Sequence, residues 1–166
     1  ITHCGKAGAG TAVKLMNNMV VAQTVRAIAE ALKVAQASGA VDGKQLFAAN
    51  CVACHQATGK GLPGVFPPLD GSEWVQGDER TLANILLYGV SGEMEVAGIT
   101  YKGAMPAFQQ LGDSELAALA SYIRGNWSNT AGAVQPNLFE HERKASKRST
   151  PFEGGAALKA LASKPA

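Results

Sequence analysis

At 166 residues, 46% apolar and 17% charged, the chain is long enough for one ordinary domain with a real hydrophobic core and residues to spare. Three cysteines are too few for a disulfide scaffold, and two of them stand three positions apart, which points to a site instead. The net charge of +2 divides into +3 over residues 1–41, −4 over 42–127 and +3 over 128–166, and no Lys/Arg run is dense enough for a nucleic-acid footprint.

The first segment, 1–41, opens on the Gly-rich stretch Gly5 to Gly10. A helical pattern follows, with apolar residues at Leu15, Met19, Ala22, Val25, Ala29 and Leu32. Val20, Val21 and Ile28 are apolar on the other side, so this helix is expected to be buried nearly all round until Ser38-Gly39 stops it. The most apolar run, Met19 to Ala37, is interrupted by Gln23, Arg26, Glu30 and Lys33, which costs several kcal/mol in lipid and excludes a transmembrane span. Arg26 and Glu30 also argue against reading it as a signal peptide, although Ala35-Gln36-Ala37 mimics a cleavage site.

The second segment, 42–127, starts with a helix from Asp42-Gly43 through Phe47. A Gly/Pro-rich loop runs from Gly59 to Gly71, and a helix spans about Asp78 to Gly89. A second loop then leads to Met105-Pro106. The last helix starts after Gly112, with Asp113 or Ser114 as N-cap and Glu115 in its first turn, and Leu116, Leu119, Tyr122 and Ile123 keep helical spacing. The third segment, from Ser128, has no sustained period and is punctuated by Pro136, Pro151 and Gly154-Gly155. It reads as a largely irregular basic tail, with Glu140 to Arg148 as a stretch that could form a helix on a partner.

Cys51-Val52-Ala53-Cys54-His55 is a C-x-x-C-H pentapeptide, the attachment signature for c-type haem. Two thiols one helical turn apart can each add to a vinyl group, while the adjacent imidazole reaches the iron. A thioredoxin-like pair would want a βαβ context, and the pattern shows helices only. A zinc site would want a second pair of ligands, and only His3, Cys4 and His141 remain, all in other segments.

Residues ~42–127 resemble class I cytochromes c. Gly43 and Phe47 lie eight and four residues before Cys51, as in that family's first helix, and Tyr122 matches the aromatic of its last helix. The resemblance implies an all-α cytochrome c fold around covalent haem c, here with an added N-terminal helix and an irregular C-terminal tail. Pro67-Pro68-Leu69-Asp70-Gly71 resembles the family's proline loop, which implies that the Pro67 carbonyl accepts from His55 Nδ1–H and strengthens the imidazole as a ligand. Gly103 to Phe108 looks like the loop presenting the second axial ligand. Met105 is therefore expected opposite His55, because a neutral, soft thioether favours reduced iron. Met94 is the competitor, but Glu93 and Glu95 flank it and suggest a solvated turn. Met16 and Met19 read as packing residues. Trp74 is open between wall packing and a propionate contact, Tyr101 is expected to be wall, and Arg80, beside Asp78 and Glu79, to be solvated.

The first forty residues resemble a different family, the β-hydroxyacid dehydrogenases. Gly10, Lys14 and Asn18 match its G-x-x-x-K-x-x-x-N spacing, which implies Lys14 as catalytic acid/base and Asn18 as a substrate contact on the same helix face. No strand followed by G-x-G-x-x-G occurs in the chain, so no nicotinamide site can be assembled from it. The leading expectation is thus an electron carrier, or electron-transfer subunit of an oxidoreductase complex. Its partner would be a dehydrogenase or respiratory complex, and its location the periplasm or cell envelope. A dehydrogenase fragment using Lys14 is the alternative. Residues 42–127 are expected to fold without either flank, leaving Arg143, Lys144, Lys147 and Arg148 free to wrap an acidic partner surface.

Overall fold

The computed structural model describes residues 14, 18–27, 41–146 and 148–162. The chain divides into two units, 1–40 and 41–166. In the first, Lys14 and residues 18–27 are helical and exposed, with Met19, Val20, Val21 and Val25 between 53% and 62% accessible. The expected burial of this helix is not met over 18–27, because periodicity tells which residues share a face but not what covers it. His3, Cys4, the Gly-rich stretch, Gly10, Leu15, Met16, Ile28, Ala29, Leu32 and the Ser38-Gly39 stop lie outside the described residues, as does Lys147. No helix among the described residues is long and apolar enough to cross a membrane.

The second unit begins with α1 (Gly43–Asn50), capped by the Asp42 carboxylate, which accepts from the Lys44 and Gln45 amides. After Cys51 it continues as the single turn α2 (Val52–His55), then α3 (Glu73–Gln76) and the almost wholly buried α4 (Glu79–Tyr88). The Asp78 carboxylate caps α4 by accepting from the Arg80 and Thr81 amides and the Thr81 hydroxyl. Helix α5 (Asp113–Arg124) crosses α1 where Gly43 has no side chain. A Cβ there would collide with the Ala118 carbonyl and with Tyr122 Cβ. Gly43→Ala is therefore expected to force the helices apart and cost about 1–3 kcal/mol in urea denaturation. Phe47, Tyr122 and Trp127 close the crossing, with ring centroids 5.3–6.1 Å apart.

Three features differ from the sequence reading. Between α4 and α5 the chain is not a loop but the antiparallel hairpin β1 (Val90–Val96) and β2 (Ile99–Met105), paired from Val90↔Met105 to Val96↔Ile99. Its two-residue turn holds Ala97 and Gly98 at φ 50° and 76°. Alanine tolerates that region poorly, and the Glu73 carboxylate steadies the turn by accepting from the Ala97 amide at 3.0 Å. Glu93 and Glu95 are thus outward residues of a strand, not marks of a solvated turn. The fold is accordingly helical with a small sheet, and "all-α" is too strict.

The α5 N-cap is Gly112 rather than Asp113 or Ser114, with the Glu115 carboxylate accepting from the Gly112 amide at 2.7 Å. Asp113 is engaged elsewhere, by Arg143 Nε at 2.6 Å.

The tail is not irregular. It forms α6 (Pro136–Ala145), β3 (Phe152–Glu153) and α7 (Gly154–Ala162), with β3 parallel to β1 and the sheet order β2-β1-β3. Phe139, Phe152 and Leu158 are buried in the same core as Phe47, Leu86 and Leu119. Arg143 is engaged within the fold, while Lys144 stays exposed. Arg143 also donates to the Gln109 and Leu111 carbonyls, and Lys144 pairs with Glu140 one helical turn back.

Candidate functional site

Helix α1 delivers Cys51 without a break, its amide donating to the Phe47 carbonyl at 2.9 Å, and the Cys51 carbonyl in turn accepts from the His55 amide at 2.9 Å. Cys51, Cys54 and His55 therefore occupy a single helical turn. Gln56 ends that turn with φ 59°. Both thiols are unbridged, with Cys51 buried and Cys54 partly accessible. Burial, and secondarily the neighbouring Cys54, raises the Cys51 thiol to about 11, so it rests as the protonated thiol.

His55 is 7% exposed, and that burial pushes its pKa below the ordinary value, keeping the imidazole neutral. Its Nδ1 donates to the Pro67 carbonyl at 2.9 Å. The ring is thereby oriented and its tautomer set, which leaves Nε2 as a bare lone pair, the form a metal requires.

The loop that carries Pro67 is held by backbone bonds. Leu62 and Phe66 exchange amide–carbonyl bonds of 2.9 and 2.8 Å, and the Gly59 carbonyl accepts from the Leu69 and Asp70 amides. Gly61, at φ 62°, donates to the His55 carbonyl at 3.0 Å, and a Cβ on it would strike the Phe66 and Pro67 carbonyls. Only glycine lets that carbonyl come in behind the imidazole.

Asn129 ties the other end of the loop down. It is 3% exposed, accepts from the Gly71 amide at 2.9 Å, and donates to the carbonyls of Leu69 (2.9 Å) and Ile123 (3.0 Å). Sequence reading missed both Gly61 and Asn129. Glycine in a Gly-rich loop carries no special mark, and Asn129 lies in the segment taken for a tail.

His55 faces a cleft of about 1170 Å³, its open mouth included, lined also by Cys51, Cys54, Pro67, Met94 and Met105. The hairpin forms one wall. Val90, Gly92, Met94 and Val96 alternate inward from β1, with Tyr101, Gly103 and Met105 from β2. Both competing methionines therefore reach the cleft. Met94, opposite Tyr101 in the register, sits at the far end, against Gly155 of α7 and near Trp74. Met105 ends β2 immediately before Pro106, at the foot of the hairpin. Trp74 lines the cleft but commits its indole N–H to the Glu95 carbonyl at 2.8 Å, which favours wall over propionate contact. Arg80 is not simply solvated: its Nε donates to the buried Glu142 carboxylate at 2.8 Å.

This donor set fits a covalently bound haem. A largely apolar cleft offers a pair of thiols three residues apart and a neutral imidazole fixed through Nδ1. A thioether ends the facing strand. Among the described residues no three of His, Cys, Asp and Glu gather into a separate metal-binding cluster. Lys14 and Asn18, by contrast, are exposed helical residues of the other unit.

Comparison with known proteins agrees with this geometry. Residues 40–127 match the family model described as Cytochrome c. The chain is 42% identical over 92 residues to "Cytochrome c-552" of Thermus thermophilus, covering 53% of this chain and 70% of that protein. It is 35% identical over 92 residues to "Alcohol dehydrogenase (quinone), cytochrome c subunit" of Gluconobacter oxydans (54% of this chain, 19% of that one). To "Cbb3-type cytochrome c oxidase subunit CcoP" of Rhodobacter capsulatus it is 36% identical over 86 residues (51% and 28%). The match thus spans less than a third of the last two relatives.

Proposed function

Since this chain belongs to the cytochrome c family, it is an electron-transfer haem protein carrying covalent haem c, and we propose that Cys51 and Cys54 would make the two thioether links while His55 and Met105 would ligate its iron. The observation that carries the assignment is the convergence of these four side chains on one cleft, with the His55 ring already fixed by the Pro67 carbonyl.

When bound, the haem supplies a one-electron couple, and the chain supplies the rest. Burial holds the His55 imidazole neutral, and its bond to Pro67 makes Nε2 a better donor. A Met105 thioether, soft and uncharged, favours the reduced state and raises the potential. Apolar walls from α4 and the hairpin would exclude water from a group bound in the cleft, which would limit the rearrangement of surrounding charge that a one-electron couple needs.

The donor or acceptor is a dehydrogenase or a respiratory complex, and the site of action is the periplasm or cell envelope. The names of the relatives support the partner class, since they are cytochrome subunits of a dehydrogenase and an oxidase. The dehydrogenase-like reading of the front, through Lys14, has no second observation behind it.

A reduced-minus-oxidised spectrum separates the two readings. Sharp haem bands on reduction support electron transfer, whereas NAD-dependent turnover without a chromophore would support the other. Oxidised protein should also show the ~695 nm band of thioether ligation. Met105→Ala should abolish it, open the iron to carbon monoxide and lower the potential. A band unchanged in that variant would move the assignment to Met94.

A further inference from the structure

We propose that Phe152, in the C-terminal strand, is a positioning residue for Met105, acting through Gly89. The inference rests on the reading of Met105 as axial ligand and adds how that ligand is held.

Gly89 is the residue on which α4 ends, with φ 74°. On one side a Cβ would collide with the Met105 carbonyl and would come within 3.0 Å of the Pro106 carbonyl carbon and the Ala107 amide nitrogen. The backbone that presents Met105 therefore lies directly against Gly89. On the other side, the Gly89 carbonyl accepts from the Phe152 amide at 3.0 Å. The next residue, Val90, is paired with Met105 on β2 and with Phe152 on β3, so one residue of the central strand lies between them.

Phe152 is itself firmly seated. It is 4% exposed, the Tyr88 ring meets it edge-on at 6.3 Å, and the Arg148 guanidinium lies 4.0 Å over its face. Past Met105, the Phe108 amide donates to the Leu86 carbonyl at 2.9 Å. The segment after Met105 is thus anchored to α4, while the strand before it leans on β1. Without β3 the foot of β1 becomes a free sheet edge, and the Gly89 peptide loses the partner that fixes its orientation. The Met105 backbone then gains room to move away from the cleft.

The test uses the full-length, haem-loaded protein. Phe152→Ala keeps the backbone amide but removes the buried ring that seats β3 against Gly89. It should lose half or more of the ~695 nm band and lower the potential while circular dichroism still reports a folded protein. Gly89→Ala, whose Cβ would press on the Met105 carbonyl directly, shows the size of change expected when that backbone is displaced. The reduced forms should bind carbon monoxide roughly tenfold more readily, as expected when the ligand-held population shifts by about 1.4 kcal/mol. Phe139→Ala is the control, because Phe139 is equally buried in the tail but lies on α6, which packs on α4 and α5. It should lower the melting temperature and leave band, potential and carbon monoxide binding alone.

If Phe152→Ala does not fold, Phe152→Leu keeps an apolar side chain and should show the same changes at smaller size. Wild-type band and potential in a folded Phe152 variant would overturn the proposal, as would equal changes in Phe139→Ala. Met105→Ala distinguishes the two levels of failure. If that variant keeps the band, the ligand assignment is at fault. If it loses the band while the Phe152 variants keep theirs, only the positioning role falls.

Discussion

A chain ended at residue 127 is expected to lose most of its stability, against the expectation that residues 42–127 suffice. The cut removes Phe139, Phe152 and Leu158, each at most 4% exposed and each part of the common core. Emptying one such site costs about 2–5 kcal/mol, and a whole domain is stable by only about 5–15. The cut also takes Asn129, leaving the Leu69 and Ile123 carbonyls and the Gly71 amide without their partner. Covalent haem with its ligand in place offsets part of this loss. Thermal melts of the haem-loaded forms should show the truncated one falling by on the order of 30 °C. A melting temperature within a few degrees of the full chain would mean that the last elements merely rest on a finished domain.

The parts legible in sequence were those fixed by local spacing. Cys51, Cys54 and His55 fall on one turn because the pentapeptide allows nothing else once α1 runs into it. Gly43 and Tyr122 meet because a close helix crossing needs a missing side chain on one partner. The Pro67 loop followed from family resemblance, and the bond to His55 is there at 2.9 Å.

What escaped depended on contacts distant in the chain. The hairpin alternates inward and outward from Val90 to Val96, yet its turn is Ala97-Gly98 rather than Asn-Gly, and Gly92 and Gly103 dilute the strand signal. The tail spreads its buried residues over Phe139, Phe152 and Leu158, in three short elements with no common period. Each is buried by a surface that the cytochrome segment provides. Helix α6 has an apolar stripe too narrow to announce itself, and a buried carboxylate stands beside Phe139 on its inner face.

That carboxylate, Glu142, carries the second large expected effect. It is 2% exposed, accepting from Arg80 Nε and Asn84 Nδ2, both at 2.8 Å, while its backbone carbonyl accepts from the Tyr88 hydroxyl at 3.2 Å. Arg80, Asn84 and Tyr88 of α4 thus converge on Glu142 of α6, and that meeting helps to set the register between the two helices. In Glu142→Ala, Asn84 keeps its bond to the Arg80 carbonyl, but the guanidinium loses its buried counter-charge. Breaking a buried pair from one side costs about 3–5 kcal/mol. The Arg80 side chain is 20% exposed and can turn toward water, so the loss should fall near the lower end. Glu142→Gln keeps an acceptor and should lose about half as much. The double variant Arg80→Met with Glu142→Leu should recover part of the loss, because an apolar pair of similar volume removes both charges and leaves only the Asn84 N–H that faced the carboxylate without its acceptor. Urea denaturation measures all three. The ~695 nm band and the potential should stay at wild-type values throughout, since neither Arg80 nor Glu142 lines the cleft. A Glu142→Ala variant that lost less than about 1 kcal/mol would mean that apolar packing around Phe139, not the buried carboxylate, seats α6.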